Sequence, residues 1–147
     1  MVGLGDPERG DDGVGQRVLE LMKAGPETFR MSPSLDMLSL VDLGKAFPQL
    51  IIIDAARTGG EPGAVLTVQL VGPLSQCIKQ KGVNVLGPFV RGLDLSQVLM
   101  MADSEGQLPE KLTLYGVVGQ NFSRGAALSP AVEAAAHELA LLLSLEL

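Results

Sequence analysis

The feature that most constrains this chain is the run Leu50-Ile51-Ile52-Ile53, closed by Asp54. A stretch this apolar and rich in β-branched residues has no polar face, so it predicts a strand covered on both sides, as in a parallel sheet. Parallel neighbours need crossover connections, usually helices, and the rest of the chain supplies them. Val14, Val18, Leu21 and Met22 share one helical face, in a helix expected to start near Asp12. Thr28 to Met31 fits a short strand, Ser32-Pro33-Ser34 a turn, and Leu35, Leu38 and Val41 a helical face that Pro48 ends. Ala64 to Leu70 alternates as an edge or antiparallel strand does. Leu93 to Met101 predicts a helix and Lys111 to Val118 a second buried strand. Ser129 before Pro130 predicts a helix start, with the hydroxyl as cap and proline in the first turn. The expectation is one α/β domain over residues 1–147, a three-layer sandwich whose twisted, mostly parallel five-stranded sheet carries helices on both faces.

Charge and cysteine usage narrow the partners. The formal net charge is −6, from 11 Lys and Arg against 17 Asp and Glu, and aromatics are 3% with no Trp. Nucleic acid binding needs clustered cations and stacking surfaces, so it is not expected. The charge-free stretch Ala64 to Ile78 is interrupted by Thr, Gln, Gly, Pro and Ser, so no membrane insertion is expected. Cys77 is the sole cysteine, no structural-zinc spacing is present, and Asp6, Glu8 and Arg9 stand where a signal peptide would be apolar. A cytoplasmic location and a buried, inert Cys77 thiol are the corresponding expectations.

In an open α/β sheet, ligands sit outside the carboxyl ends of the strands. Asp54 is expected to close a strand and Asp12 to open a helix, which places both acids at that edge. Carboxylates converging there repel unless a proton or a cation lies between them. The alternative is that Asp12 caps its helix and Asp54 a loop.

The opening Gly3-Leu4-Gly5-Asp6-Pro7-Glu8-Arg9-Gly10-Asp11-Asp12-Gly13-Val14-Gly15 fits neither the dinucleotide fingerprint nor the phosphate loop. It resembles the signature of the hydrogenase maturation endopeptidases, Gly-x-Gly-Asn-x-x-x-x-Asp-Asp/Glu-Gly-x-Gly. Further segments match in order: Leu50 to Ala55, Glu61-Pro62-Gly63, Lys111 to Val117 and Leu128 to Ala134. The resemblance implies a phosphorylase/hydrolase-like fold and a protease that removes a C-terminal extension from a nickel-loaded hydrogenase large-subunit precursor. It further implies that the substrate's nickel, present transiently and not as a resident cofactor, meets two carboxylates, here Asp12 and Asp54, and a histidine.

The departures bear on activity. The family's histidine stands in Pro-His-x-x-Gly-Leu, whereas this chain reads Pro88-Phe89-Val90-Arg91-Gly92-Leu93, so Phe89 takes the ligand position. Two carboxylates without an imidazole favour harder cations. His137, the only histidine, is expected on the body of the terminal helix, which excludes histidine-based nucleophilic catalysis and leaves the catalytic residues unassigned. Ser32, Pro33 and Ser34 take the place of the family's Gly-Gly-Thr substrate loop, a stiffer segment. Asp6 replaces the usual Asn and is read as a turn-former before Pro7. Only Met1 and Val2 precede Gly3, so either the first strand is very short or part of the natural N-terminus is missing. Two functions follow: a maturation endopeptidase, or a non-catalytic relative that docks a hydrogenase-type subunit without cleaving it. A third, an anion-binding module built on the first glycines, conflicts with Asp6, Asp11 and Asp12.

Overall fold

The structure is a computed structural model that describes residues 1–23, 29–30, 39–71, 79–80 and 83–146. In chain order the elements are β1 (Val2–Gly3), a 3-10 turn (Gly10–Gly13), α1 (Val14–Leu21), β2 (Phe29–Arg30), α2 (Ser39–Ala46), β3 (Gln49–Ala56) and β4 (Val65–Leu70). They are followed by β5 (Lys79–Gln80), β6 (Val83–Asn84), α3 (Gly92–Ser104), β7 (Lys111–Val118) and α4 (Pro130–Glu146). The expected turn at Ser32, Pro33 and Ser34 lies outside the described residues, as do Leu35, Leu38 and Cys77.

The fold is α/β with a mixed sheet in the order β2-β1-β3-β7-β4. The pairings β2·β1, β1·β3 and β3·β7 are parallel, and β4 runs antiparallel to β7. The apolar run fixes the centre. Leu50 and Ile52 point into one apolar cluster with Leu112, Leu114, Leu40 of α2, and Leu95 and Leu99 of α3. Ile51, Ile53 and Ala55 point into the other, with Val14, Val18 and Leu19 of α1 and Val132, Ala136, Leu139 and Leu143 of α4. Period-two side-chain alternation therefore buries β3 on both sides. In β4 the alternation survives as Val65, Thr67 and Gln69 exposed against the better-covered Leu66, Val68 and Leu70.

Two details correct the sequence expectations. Asp54 does not close its strand, because β3 continues through Ala55 and Ala56, which pair with Val117 and Val118 of β7. The Ser129 hydroxyl is engaged elsewhere than at its own helix, donating to Asp11 Oδ2 at 2.8 Å.

β1 lies flush against α1 because both carry glycine at the crossing. A Cβ on Gly15 would sit 2.5 Å from the Ile53 carbonyl oxygen and 2.8 Å from that of Leu4, and one on Gly3 would sit 2.6 Å from Gly15 backbone atoms. No residue with a side chain fits at either position without separating helix from sheet. Among the described residues no helix is long and apolar enough to cross a membrane.

Candidate functional site

β1 ends at Gly3, opposite Ile53, whereas β3 runs on to Ala56. The last residues of β3 are thus left with an open edge, and buried backbone groups there need partners. The segment after Pro88 fills the vacancy. Arg57 N–H donates to Pro88 O at 2.8 Å, Val90 N–H donates to Ala55 O at 2.9 Å, and Ala56 forms an antiparallel bridge with Phe89. This pairing delivers Arg91 to Asp54, whose Oδ2 accepts the Arg91 backbone N–H at 2.9 Å.

The Arg91 side chain then closes the site. Its Nη1 donates to Asp12 Oδ1 at 2.6 Å and to Asp54 Oδ1 at 3.2 Å, while Nη2 donates to Asp12 Oδ2 at 2.7 Å. Asp12 and Asp54 therefore converge at the carboxyl edge of the sheet, since both touch one nitrogen. The cation between them is a guanidinium, bidentate toward Asp12 in the fork geometry that suits a carboxylate. Asp12 comes from the 3-10 turn, which Gly5 lets approach the sheet. Gly5 has φ +120, and a Cβ there would collide with the Asp12 carbonyl oxygen. Asp12 Oδ2 also accepts the Asp6 N–H at 3.0 Å.

Burial and charge divide the two acids. Asp54 is fully buried, and desolvation pushes its pKa up to about 6, with the nearby Asp12 charge adding to the rise against the opposing Arg91 N–H and charge. Burial also pushes Asp12 up, but the Arg91 fork, the Asp6 N–H and the charges of Arg91 and Arg57 outweigh it and hold Asp12 below the usual carboxylate range. The arrangement is one acid held below the usual carboxylate range and one that gains a proton in mildly acid solution, both on one arginine.

The neighbouring Asp11 faces away and does different work. Its oxygens accept the backbone N–H of Gln120 at 2.7 Å, Asn121 at 2.9 Å and Ser129 at 2.7 Å, as well as the Ser129 hydroxyl. It is fully buried; burial raises its pKa, yet these four donors win and lower it. Asp11 so fastens the loop after β7 and the start of α4 to the turn that carries Asp12.

Phe89 is 3% exposed and belongs to the apolar cluster of β3, β7 and α3. Its ring lies over Gly116, the residue of β7 in register with Asp54. His137 is exposed on α4, with Nε2 3.2 Å from Glu133 Oε1, a carboxylate that also binds Arg17. Asp6 acts as the turn-former expected, its Oδ1 accepting Glu8 N–H at 2.9 Å. Among the described residues no group of three or more His, Cys, Asp or Glu is placed to hold a metal ion. Arg91 and Asp11 are the residues that sequence reasoning missed. Asp11 could have been found by noting that, of two adjacent acids, only one faces a crevice. Arg91 answers to the cation required between converging carboxylates.

An α/β sheet of this order, with the glycine-rich turn and the Asp12–Arg91–Asp54 cluster at its carboxyl edge, has the fold of the hydrogenase maturation endopeptidases. The likeness includes the hydrogenase maturating endopeptidase HybD from E. coli, at 24% identity over 99% of this chain and 90% of that chain, TM-score 0.72. A hydrogenase 2 maturation peptidase from a Thaumarchaeota archaeon matches at 24% identity over 97% of this chain and 93% of that one, TM-score 0.66. The [NiFe] hydrogenase maturation protease HycI from Thermococcus kodakarensis matches at 22% over 97% and 87%, TM-score 0.63. No protein-family model and no curated protein matches the sequence.

Proposed function

We propose that this chain is an endopeptidase-like protein of hydrogenase maturation, acting on the C-terminal extension of a nickel-loaded large-subunit precursor. The convergence of Asp12 and Asp54 on one guanidinium nitrogen carries the reading. Two carboxylates in that position form a seat for a cation, and Arg91 occupies it in the resting protein. Nickel brought by the substrate would compete with Arg91 for the same oxygens and, once held, polarise the scissile carbonyl or a water. The chain's contribution is position and negative charge. His137, engaged with Glu133, plays no part.

The second reading, a relative that docks a hydrogenase-type subunit without cleaving it, draws support from the same residues. Arg91 holds Asp12 through two short charge-assisted bonds, and Phe89 offers no ligand atom. One experiment separates the readings. The chain is incubated with nickel-loaded large-subunit precursor, the product mass is read by mass spectrometry, and complex formation is followed by co-purification. Loss of the extension supports the endopeptidase; a stable complex with an intact precursor supports docking; neither cleavage nor complex refutes both.

A further inference from the structure

The net charge of −6 makes the distribution of arginine unexpected: of the six in the chain, Arg9, Arg57, Arg91 and Arg124 line one cavity of about 410 Å³, beside Asp6 and Asp12. Three of the four are committed. Arg9 faces Asp6 at 3.9 Å, Arg124 faces Glu8 at 3.3 Å, and Arg91 holds Asp12 and Asp54. Among the described residues Arg57 has no carboxylate of its own. Its guanidinium lies instead 4.0 Å from the centroid of the Phe122 ring. A cation seated over a ring face is held in place by the ring's quadrupole, and among the described residues the Arg57 guanidinium donates no hydrogen bond. Arg57 and Phe122 also line a second cavity of about 550 Å³, with Gly119 to Ser123, so the stacked pair stands where the two meet.

We propose that Arg57, braced on Phe122 between these two cavities, is the receptor for a carboxylate of a bound peptide. That the ligand is a peptide rests on the endopeptidase-like reading above; that it carries a carboxylate rests on Arg57 alone. A planar monoanion matches one unpaired guanidinium edge and can take two parallel hydrogen bonds from it. A phosphate dianion fits less well, because Asp6 and Asp12 in the same cavity repel it about twice as strongly as a monoanion and the other arginines already face carboxylates. The carboxylate can come from an acidic side chain or from a free chain end.

Calorimetry on the full chain with three short peptides of equal length tests this. One is capped at both ends with Gln at its centre, one is capped with Glu in place of Gln, and one is neutral in its side chains but ends in a free carboxylate. At least one carboxylate peptide should bind about tenfold or more tighter than the capped Gln peptide, a difference of about 1.4 kcal/mol. The stronger of the two identifies the source. Arg57→Gln should abolish the preference, and Arg17→Gln, outside both cavities, should keep it. Phe122→Leu, which leaves the cation but removes its brace, should weaken the preference and serves as second variant if Arg57→Gln does not fold. Equal binding of all three peptides, a preference that survives Arg57→Gln, or displacement of the peptides by inorganic phosphate at equal concentration would overturn the proposal. An Arg57-dependent preference without processing of any precursor would sink the endopeptidase reading and leave the receptor standing; processing that ignores Arg57 would do the reverse.

Discussion

Asp54→Asn tests the electrostatics of the site most directly. The amide keeps an oxygen for the Arg91 backbone N–H, which Asp54 Oδ2 accepts at 2.9 Å, and removes a fully buried charge. The Asp54 pKa rises from 3.8 to about 6 on folding, because desolvation of the carboxylate outweighs the help from Arg91. A folded-state pKa above the unfolded value means that the folded chain binds the proton more tightly. Its stability therefore falls as pH rises from about 4 to about 6 and is level above that. At about 1.4 kcal/mol per pKa unit, the charged form costs about 3 kcal/mol. Urea unfolding of both proteins between pH 4 and pH 7.5 reads this as a difference, in which the depressed Asp11 and Glu133, which do not touch Asp54, cancel, while Asp12, coupled to Asp54 through Arg91, keeps its low pKa in both. The stability of Asp54→Asn relative to the parent should climb by up to about 3 kcal/mol across that window. A relative stability that stays flat, or that falls with pH, would refute the desolvation account.

Arg91→Gln leaves two buried acids without their cation and should cost about 3–5 kcal/mol at neutral pH, less at pH 5 where Asp54 is protonated; urea titration reads both. The same variant should bind nickel about tenfold or more tighter in calorimetry if the guanidinium holds the metal's place, and unchanged affinity would put the ion elsewhere. Gly116→Ala sets a methyl 2.8 Å from Phe89 Cε1 and should cost about 1–3 kcal/mol, with partial recovery in the double variant with Phe89→Leu. Asp11→Asn keeps one acceptor and turns the other into a donor, so it cannot serve both Oδ2, which takes the Gln120 and Asn121 N–H groups, and Oδ1, which takes the Ser129 N–H; it should cost about 2–3 kcal/mol, with faster amide exchange either at Gln120 and Asn121 or at Ser129.

The sheet was readable wherever burial left a pattern in the side chains. Lys111 to Val118 matches β7 at both ends, and the alternation from Ala64 marks β4 as an antiparallel edge. The end of β3 was not readable, since Ala55 and Ala56 carry too little side chain to signal which state the backbone adopts. The convergence of Asp12 and Asp54 was legible because an acid near the carboxyl end of one parallel strand and an acid at the start of the helix region that follows another fall at one edge of the sheet. Arg91 was not. A single arginine in an apolar loop looks like any surface cation, and its burial depends on β1 ending three residues before β3 does, a property of two distant segments together. The same holds for Arg57, whose stack on Phe122 joins residues far apart in the chain. Ser129 was assigned to its own helix because local capping is the commonest use of such a hydroxyl; the nearby Asp11 competed for it and won.

The glycine seam between α1 and the strands sets the tolerances of the whole site. Gly15 meets the carbonyls of Leu4 and Ile53, and Gly3 meets Gly15, with only backbone on either side. Such a joint acts as a hard stop and not as a spring: there is no side chain in it to rotate, shrink or give. Exchanges among Val14, Val18 and Leu19 on the flank of the helix can alter how firmly the helix is held, yet its distance from β1 and β3 stays fixed by atoms that every amino acid shares. Drift in the core is thereby uncoupled from the seating of helix on sheet, and the positions able to shift that seating reduce to the few that carry no side chain at all.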